Sequence, residues 1–379
     1  MGKVPDYEIY YYFIELSKNL LATSGVLSYI IPNTFLFNTF AAKYRLSLLE
    51  TWDFIEILDC TKFSVFSSAT VRNTITLWAH KKGNNVGYRN TQKPESFVQL
   101  ISNEREYINK QEIKMLNQNW ALAFQLNPNV IKLVTKIKNN GLDLISYFPD
   151  LSQGLIAYDK YTGQDKKIID SRAYHYDSYA KEGLKKWMLG RNVTRYLANW
   201  NGEKYIDYCD GIANPRNPKF FVGNRILVRE ITNPSIYAAY TDQELYNDPS
   251  LLIIKDNDQE DLIFVSAILN SKLATFFHFN FSPKATKGDF PKILVKDLKE
   301  FPIPNGFNKK ETIRLIIQNI VTLKTNNQNS IYYEEIIDTW VYRLYDLSYD
   351  EVLIIDPDYS SRMSKGEYDS FSILKKHIK

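Results

Sequence analysis

Cysteine and histidine are scarce in this chain of 379 residues, which holds 2 Cys and 4 His. Cys60 and Cys209 lie far apart, and His80, His175, His278 and His377 are scattered, so no metal-ligand spacing occurs. That argues against a zinc site and for a reducing compartment. No clustered Ser, Cys or Asp accompanies a histidine, which makes hydrolytic triads improbable. There is no phosphate loop and no dense carboxylate cluster. The glycines of "GLIAYDKYTG" and "LGRN" occupy turn positions without dinucleotide spacing. No apolar run approaches the ~20 residues of a membrane helix, and no signal peptide opens the chain. The expectation is a cytoplasmic protein with no membrane partner.

Aromatic side chains are what the sequence has in excess: 14% of residues, with 27 Tyr and 21 Phe. Most fit core and half-buried strand positions. Several Tyr, however, stand among Lys and Arg, the composition of many nucleic-acid surfaces. The net charge of +4 identifies no partner, but its distribution is uneven. Residues 160–196 carry nine Lys/Arg against four acids, and residues 334–358 carry eight acids against Arg343 alone. Faces with different tasks are implied.

Residues 1–83 alternate in an α/β manner. Helices are expected over Glu8–Ala22 and Thr39–Glu50, and strands over Val26–Ile31, Phe54–Leu58 and Val71–Trp78. The nearly continuous apolar run Val26–Ile31 predicts a strand covered on both faces, in a largely parallel, doubly wound sheet. Residues 84–142 read as a polar connector with one helix, Pro128–Asn139. Residues 143–304 read as a mixed, β-rich domain, in which Ile226 and Val228 would point to one strand face and Arg225 and Arg229 to the other. From 305 to 379 the chain reads as helical, a clasp of two helices with stripes Ile313/Ile316/Ile320/Leu323 and Ile337/Val341/Leu344. Ser348 and Glu351 form a capping-box pattern, and the acidic outer face is expected to be solvated. The fold class is thus α/β plus α+β, with a helical C-terminal segment. A partial α/β sheet joined to a basic, aromatic-rich domain suggests binding to a polyanion.

Longer segments carry a resemblance. "FIELSKNLLATSGVLSYIIPNTFLFN" (13–38) and "FIEILDCTKFSVFSSATVRNTITLWAHKK" (54–82) resemble the later half of the catalytic domain of adenine-N6 DNA methyltransferases. The likeness is to the large bacterial, type IIG-like restriction–modification enzymes, in which methylation and target recognition share one polypeptide. "MLGRNVTRYLANWNGEKYIDYCDGIANPRNPKFFVGNRILVREIT" (188–232), "AILNSKLATFFHF" (267–279) and "GDFPKILVKDLKEFPIP" (288–304) are similar to the Taq-type specificity domain. "EEIIDTWVYRLYDLSYDEVLII" (334–355) resembles the C-terminal helical signature of the same enzymes. The resemblance implies a partial Rossmann-like methyltransferase sheet over 1–83 and a target recognition domain over 143–304. It also implies that "VFSSATV" (65–71) corresponds to the loop that helps hold a flipped adenine, with Phe66 a candidate to pack on that base.

The family's S-adenosylmethionine loop and Asn-Pro-Pro-aromatic motif are not in this sequence; "IPNT", "NPRN" and "NPSI" are no substitutes. By the resemblance they lie upstream. The expectation is therefore a C-terminal portion that neither binds the donor well nor methylates alone. It would hold no cofactor itself, with S-adenosylmethionine, and magnesium for any attached nuclease, belonging to the full-length enzyme.

Double-stranded DNA is the expected partner. Candidate DNA-contacting residues are Lys160, Lys166, Lys167, Arg172, Lys185, Lys186, Arg191, Arg195, Tyr196, Arg216, Arg225, Arg229, Lys284, Lys287 and Lys292. Arginine can grip guanine O6/N7 bidentately, and lysine can hold phosphates. For Arg195-Tyr196 an internal buttress is the competing reading. For the lysines of the 160–167 loop it is plain solvation. Asn270-Ser271-Lys272, inside an apolar helix, is read as organising helix packing. Two further functional readings stay open: a specificity subunit that completes a separate catalytic partner, and a degenerate DNA-binding remnant.

Overall fold

The computed structural model describes residues 4–63, 65–66, 71–80, 83–117, 119–257, 261–282, 285, 291–306 and 311–372. The chain divides into two compact units: Met1–Thr135 with Asn280–Pro283, and Lys136–Phe279 with Lys284–Lys379.

In the first unit, α1 (Tyr10–Leu20) leads into β1 (Val26–Pro32), followed by α2 (Ala42–Thr51), β2 (Asp53–Asp59) and β3 (Asn73–Ala79). The region expected to be a connector supplies β4 (Asn85–Tyr88), α3 (Phe97–Ser102), β5 (Glu106–Asn109), α4 (Lys110–Met115) and α5 (Trp120–Gln125). These strands complete a five-stranded sheet of order β1-β3-β2-β4-β5. Polar composition hid β4 and β5 because each spans only four residues, too few for a period-2 pattern to stand out. The sheet is not largely parallel: β1–β3, β3–β2 and β4–β5 pair antiparallel, and only β2–β4 is parallel. Nor is β1 covered on both faces. It is an edge strand, with Val26, Ser28 and Ile30 exposed in alternation.

The core of this unit is aromatic. Trp78 packs on Phe54 (4.9 Å between centroids), Trp52 (5.6 Å) and Phe35 (6.1 Å), and Trp120 meets Phe35 and Phe54 edge-on. Within it lies Arg45, fully buried, donating to the carbonyls of Phe35 (3.2 Å), Asn38 (2.7 Å) and Asn117 (2.6 Å). A buried cation needs such acceptors to offset its lost hydration.

Helix α6 (Pro128–Asn139) carries the chain into the second unit, which opens with β6 (Leu142–Asp143), α7 (Leu144–Tyr147) and β7 (Leu151–Gln153). There follow α8 (Lys166–Ser171), β8 (His175–Tyr176), β9 (Lys185–Met188), β10 (Val193–Thr194), β11 (Leu197–Ala198) and β12 (Tyr205–Ile206). Next come β13 (Arg225–Arg229), β14 (Ala238–Thr241), β15 (Tyr246–Asn247) and β16 (Leu251–Lys255). One four-stranded sheet has the order β14-β13-β16-β7, the other β15-β9-β12-β8, and β10 with β11 forms a hairpin. Trp187, Met188, Phe221, Leu227, Tyr246, Leu251 and Ile253, drawn from both sheets and the 221 turn, share one buried cluster.

The helical remainder comprises α9 (Leu262–Asn270), α10 (Lys272–Phe281), α11 (Val295–Lys299), β17 (Pro302–Ile303), α12 (Glu311–Thr325), α13 (Ile331–Leu344), α14 (Tyr349–Ile355) and α15 (Lys365–Asp369). Strand β17 pairs with β6. Helices α9 and α10 meet at a bend of 70°. There the Asn270 amide accepts from the backbone N–H of Ala238 (3.1 Å) and donates to the carbonyls of Ala238 (2.7 Å) and Ser266 (2.8 Å). The tripeptide Asn270-Ser271-Lys272 organises packing. Among the described residues no single helix is long and apolar enough to cross a membrane; the bent α9–α10 pair passes by length and composition, and every residue of α9 is buried.

The capping box is formed: Ser348 Oγ accepts from the Glu351 N–H (3.3 Å), and the Glu351 carboxylate accepts from the Ser348 N–H (2.7 Å). The acidic segment is not simply solvated. Glu334, Asp338 and Asp356 are buried, and two of them meet cations: Glu334 pairs with Lys324 (2.8 Å), and Asp356 with Lys272 (2.8 Å) and Arg362.

Candidate nucleic-acid interface

The basic block of residues 160–191 is arranged on and around the sheet β15-β9-β12-β8. After Tyr158 the chain makes a turn over Lys160–Thr162, capped by the Asp159 carboxylate on the Tyr161 N–H (2.9 Å) and closed by Gly163 at φ +81°. Lys160 Nζ lies 4.8 Å from the centroid of its exposed neighbour Tyr161. Asp165 caps α8, whose first turn presents Lys166 and Lys167 to solvent. The helix ends at Arg172, in the left-handed region at φ +51° and exposed.

Tyr158 ties this segment to β8. Its hydroxyl accepts from the Tyr174 N–H (2.8 Å) and bonds His175 Nδ1 (2.9 Å), its ring stacks on Tyr174 (5.5 Å), and the Arg172 guanidinium lies 6.0 Å away. Burial, then the charges of Arg172 and Lys204, push the His175 imidazole down to about 4, so it is neutral near pH 7.

Across the sheet, Lys186 on β9 is exposed, with Nζ 5.0 Å from the Trp200 ring. Its neighbour Lys185 is paired with Glu244 at 2.8 Å. Arg191 is exposed in the turn after β9 and makes no ion pair among the described residues. Lys181 and Lys204, which the sequence did not single out, pair with Asp207 and Asp177. Nor did the sequence single out Tyr179, Trp200 and Tyr205. These aromatics line a cleft of about 500 Å³ with Gly183, Leu184, Lys185, Lys186 and Glu244. The interleaving of Lys with Tyr and Trp in 176–205 was the available signal.

Several expected contacts lie elsewhere. Arg225 is fully buried. Its strand is interior to its sheet and covered on both faces, and the guanidinium turns back to the carbonyls of Gly223 (2.7 Å), Gln243 (2.6 Å) and Leu245 (3.2 Å). Burial lowers its pKa to about 10. The expectation that Arg225 and Arg229 share an exposed face is thus overturned. Arg229 is half-buried beside Tyr237, 5.1 Å from the ring.

Of the two readings of Arg195-Tyr196, the buttress is what the structure contains. Arg195 donates to the Asn270 carbonyl (2.7 Å) and faces Glu334 (3.3 Å), while Tyr196 is buried at φ +66° with its N–H on the Ala238 carbonyl (2.9 Å). Arg216, half-buried at φ +61°, gives its carbonyl to the Tyr208 hydroxyl (2.9 Å). Lys292 pairs with Glu230 (3.1 Å). Lys284 and Lys287 lie outside the described residues, as do residues 67–70 of the "VFSSATV" segment. Phe66 beside that segment is partly exposed. The exposed cations are therefore Lys160, Lys166, Lys167, Arg172, Lys186 and Arg191, on or flanking one small sheet.

Two family models match the chain. Residues 2–66 match the Eco57I restriction–modification methylase, and residues 185–303 the TaqI-like C-terminal specificity domain. The chain is 28% identical over 367 residues to a protein of Methanocaldococcus jannaschii named as a type II restriction enzyme and methyltransferase. That match covers 90% of this chain and 29% of the relative, so the chain spans under a third of that protein's length. Among solved structures, it is similar to the type IIL restriction–modification enzyme MmeI in complex with DNA, at 12% identity and a TM-score of 0.45, over 91% of this chain and 50% of that one. It is also similar to the type IIG restriction endonuclease BpuSI, at 12% identity and a TM-score of 0.35, over 92% of this chain and 49% of that one. Both family matches fall in restriction–modification enzymes. The matched residues 185–303 contain β9 to β17, Lys186 and Arg191, together with Lys185, Trp200, Tyr205 and Glu244 of the aromatic cleft, while Tyr179, Gly183 and Leu184 precede the match.

Proposed function

We propose that this chain recognises duplex DNA in a sequence-specific manner, as the target-recognition part of an adenine-N6 DNA methyltransferase in a restriction–modification system, working in the cytoplasm. The observation that carries the reading is the group of exposed cations, without an ion pair among the described residues, on and beside the sheet β15-β9-β12-β8, within and next to the matched residues 185–303. Lys160, Lys166, Lys167, Arg172, Lys186 and Arg191 would supply phosphate contacts and counterion release, while side chains of adjoining loops read base edges.

S-adenosylmethionine would belong to the full-length enzyme. The residues of this chain do not fit the donor: β1 passes into Pro32-Asn33-Thr34 and a short 3-10 turn, with no glycine-rich strand-to-helix loop, and the sequence has no Asn-Pro-Pro-aromatic motif. No transfer step is assigned to it.

A second reading, a specificity subunit completing a separate catalytic partner, is favoured by one feature of the first unit. Helix α1 exposes Phe13, Leu16 and Leu20, and the edge strand β1 exposes Val26 and Ile30, an apolar surface of the kind that marks an interface. A titration with duplex DNA at rising salt tests the main reading. Affinity should fall linearly in log–log form; absence of binding at low salt, or indifference to salt, overturns it.

A further inference from the structure

We propose that the cleft lined by Tyr179, Trp200 and Tyr205 beside the paired strands β9 and β12 of the second unit holds one unstacked nucleobase of the bound DNA. The inference rests on the DNA-recognition reading above and adds a specific subsite to it. The walls are aromatic and arranged edge to face: Tyr179 meets Tyr205 at 5.5 Å and 61°, and Tyr205 meets Trp200 at 5.1 Å and 81°. Tyr179 is 57% exposed, so its ring is open to an occupant of the cleft. The indole N–H of Trp200 is spent on the Lys204 carbonyl at 3.0 Å, so what Trp200 offers the cleft is its π surface.

The polar groups are few and sit at defined points. Glu244 and Lys185, joined at 2.8 Å, place an acceptor and a donor at the rim, and Lys186 stands over Trp200. A planar ring with polar edges and an attached phosphate matches all three elements. Aromatic walls take the base face, the Lys185–Glu244 pair meets the base edge, and Lys186 meets the phosphate. A base inside an intact helix has both faces covered by its neighbours and cannot present one here. The occupant is therefore a base displaced from the stack, at about 500 Å³ with room to spare.

The test compares a matched duplex with the same duplex carrying one bulged 2-aminopurine, measuring affinity by anisotropy and stacking by quenching of the probe. The full chain should bind the bulged duplex roughly tenfold more tightly and quench the bulged base. Tyr179→Ala should reduce bulged-duplex affinity to that of matched DNA and abolish the quenching, while Tyr179→Phe should retain both. Trp200→Phe gives a second probe of the wall with an aromatic retained. Equal affinity of the wild-type chain for the two DNAs, or a preference that survives Tyr179→Ala, overturns the subsite and leaves duplex recognition standing. Failure to bind either DNA at any salt overturns the recognition reading and the subsite with it.

Discussion

The guanidinium of Arg195 donates to the main-chain carbonyl of Asn270 at 2.7 Å, joining the β10–β11 hairpin to the C-terminus of α9. The same guanidinium faces Glu334 of α13 at 3.3 Å, so one side chain fastens three elements of the second unit.

Arg195→Ala should therefore destabilise the protein by about 2 kcal/mol, because it removes a charge-assisted bond and leaves Glu334 with Lys324 as its remaining cation. Urea unfolding measures this. The salt dependence of DNA binding under folding conditions should be unaltered, and a reduced slope would show that Arg195 touches phosphate after all.

The exposed cations should behave in the opposite way. Lys160→Ala and Arg191→Ala should leave the urea midpoint near that of the wild type, since neither residue is buried. Each should lower the magnitude of the slope of log affinity against log salt by about 0.9. Arg225→Met provides the contrast: its guanidinium is enclosed by carbonyls, so stability should fall while the slope is kept.

What could be read from the sequence depended on the length of each pattern. Long apolar stripes placed α12 and α13 correctly, and the capping residues Ser348 and Glu351 placed the start of α14. The apolar run Val26–Ile31 did identify a strand, but composition cannot reveal which neighbours pair with it, and it lies at the antiparallel edge. The direction of Arg225 was misread because alternation assumes one wet face, whereas its strand has none. Lys185 and Lys292 read as free charges, since their partners Glu244 and Glu230 are distant in sequence. The cleft was invisible for the same reason: Tyr179, Trp200 and Tyr205 meet only once β8, β9 and β12 pair.

Buried titrating groups give the second unit opposed responses to acid. Burial lowers His278 to about 4, so between pH 6.5 and 4 the unfolded chain takes up a proton that the folded protein refuses. Stability is lost as pH falls through that window, by up to about 3 kcal/mol for a buried group. Burial raises the Asp338 carboxyl to about 6, so the folded protein holds a proton that the unfolded chain has released, and stability is lost as pH rises from about 4 to 6. Relative to the wild type, His278→Gln should gain stability as pH falls from 6.5 to 4.5, and Asp338→Asn should gain it as pH rises over the same range. Urea midpoints at the two pH values decide both signs.

Methyl transfer provides a direct test of how the chain's parts divide the work. The sequence has neither the Asn-Pro-Pro-aromatic motif nor a glycine-rich donor loop, and β1 leads instead into Pro32 and Asn33. Chemistry at an adenine amino group needs acceptors to polarise that nitrogen and a donor held in line with it. The chain incubated with duplex DNA and labelled S-adenosylmethionine should therefore transfer no label, even where it binds DNA in a salt-dependent way. Supplying a separate protein that carries the missing motifs should restore incorporation only if it also covers the apolar surface of α1 and β1. Leu16→Glu on α1 should block that rescue without weakening DNA binding. Incorporation by the chain alone would overturn this division of labour.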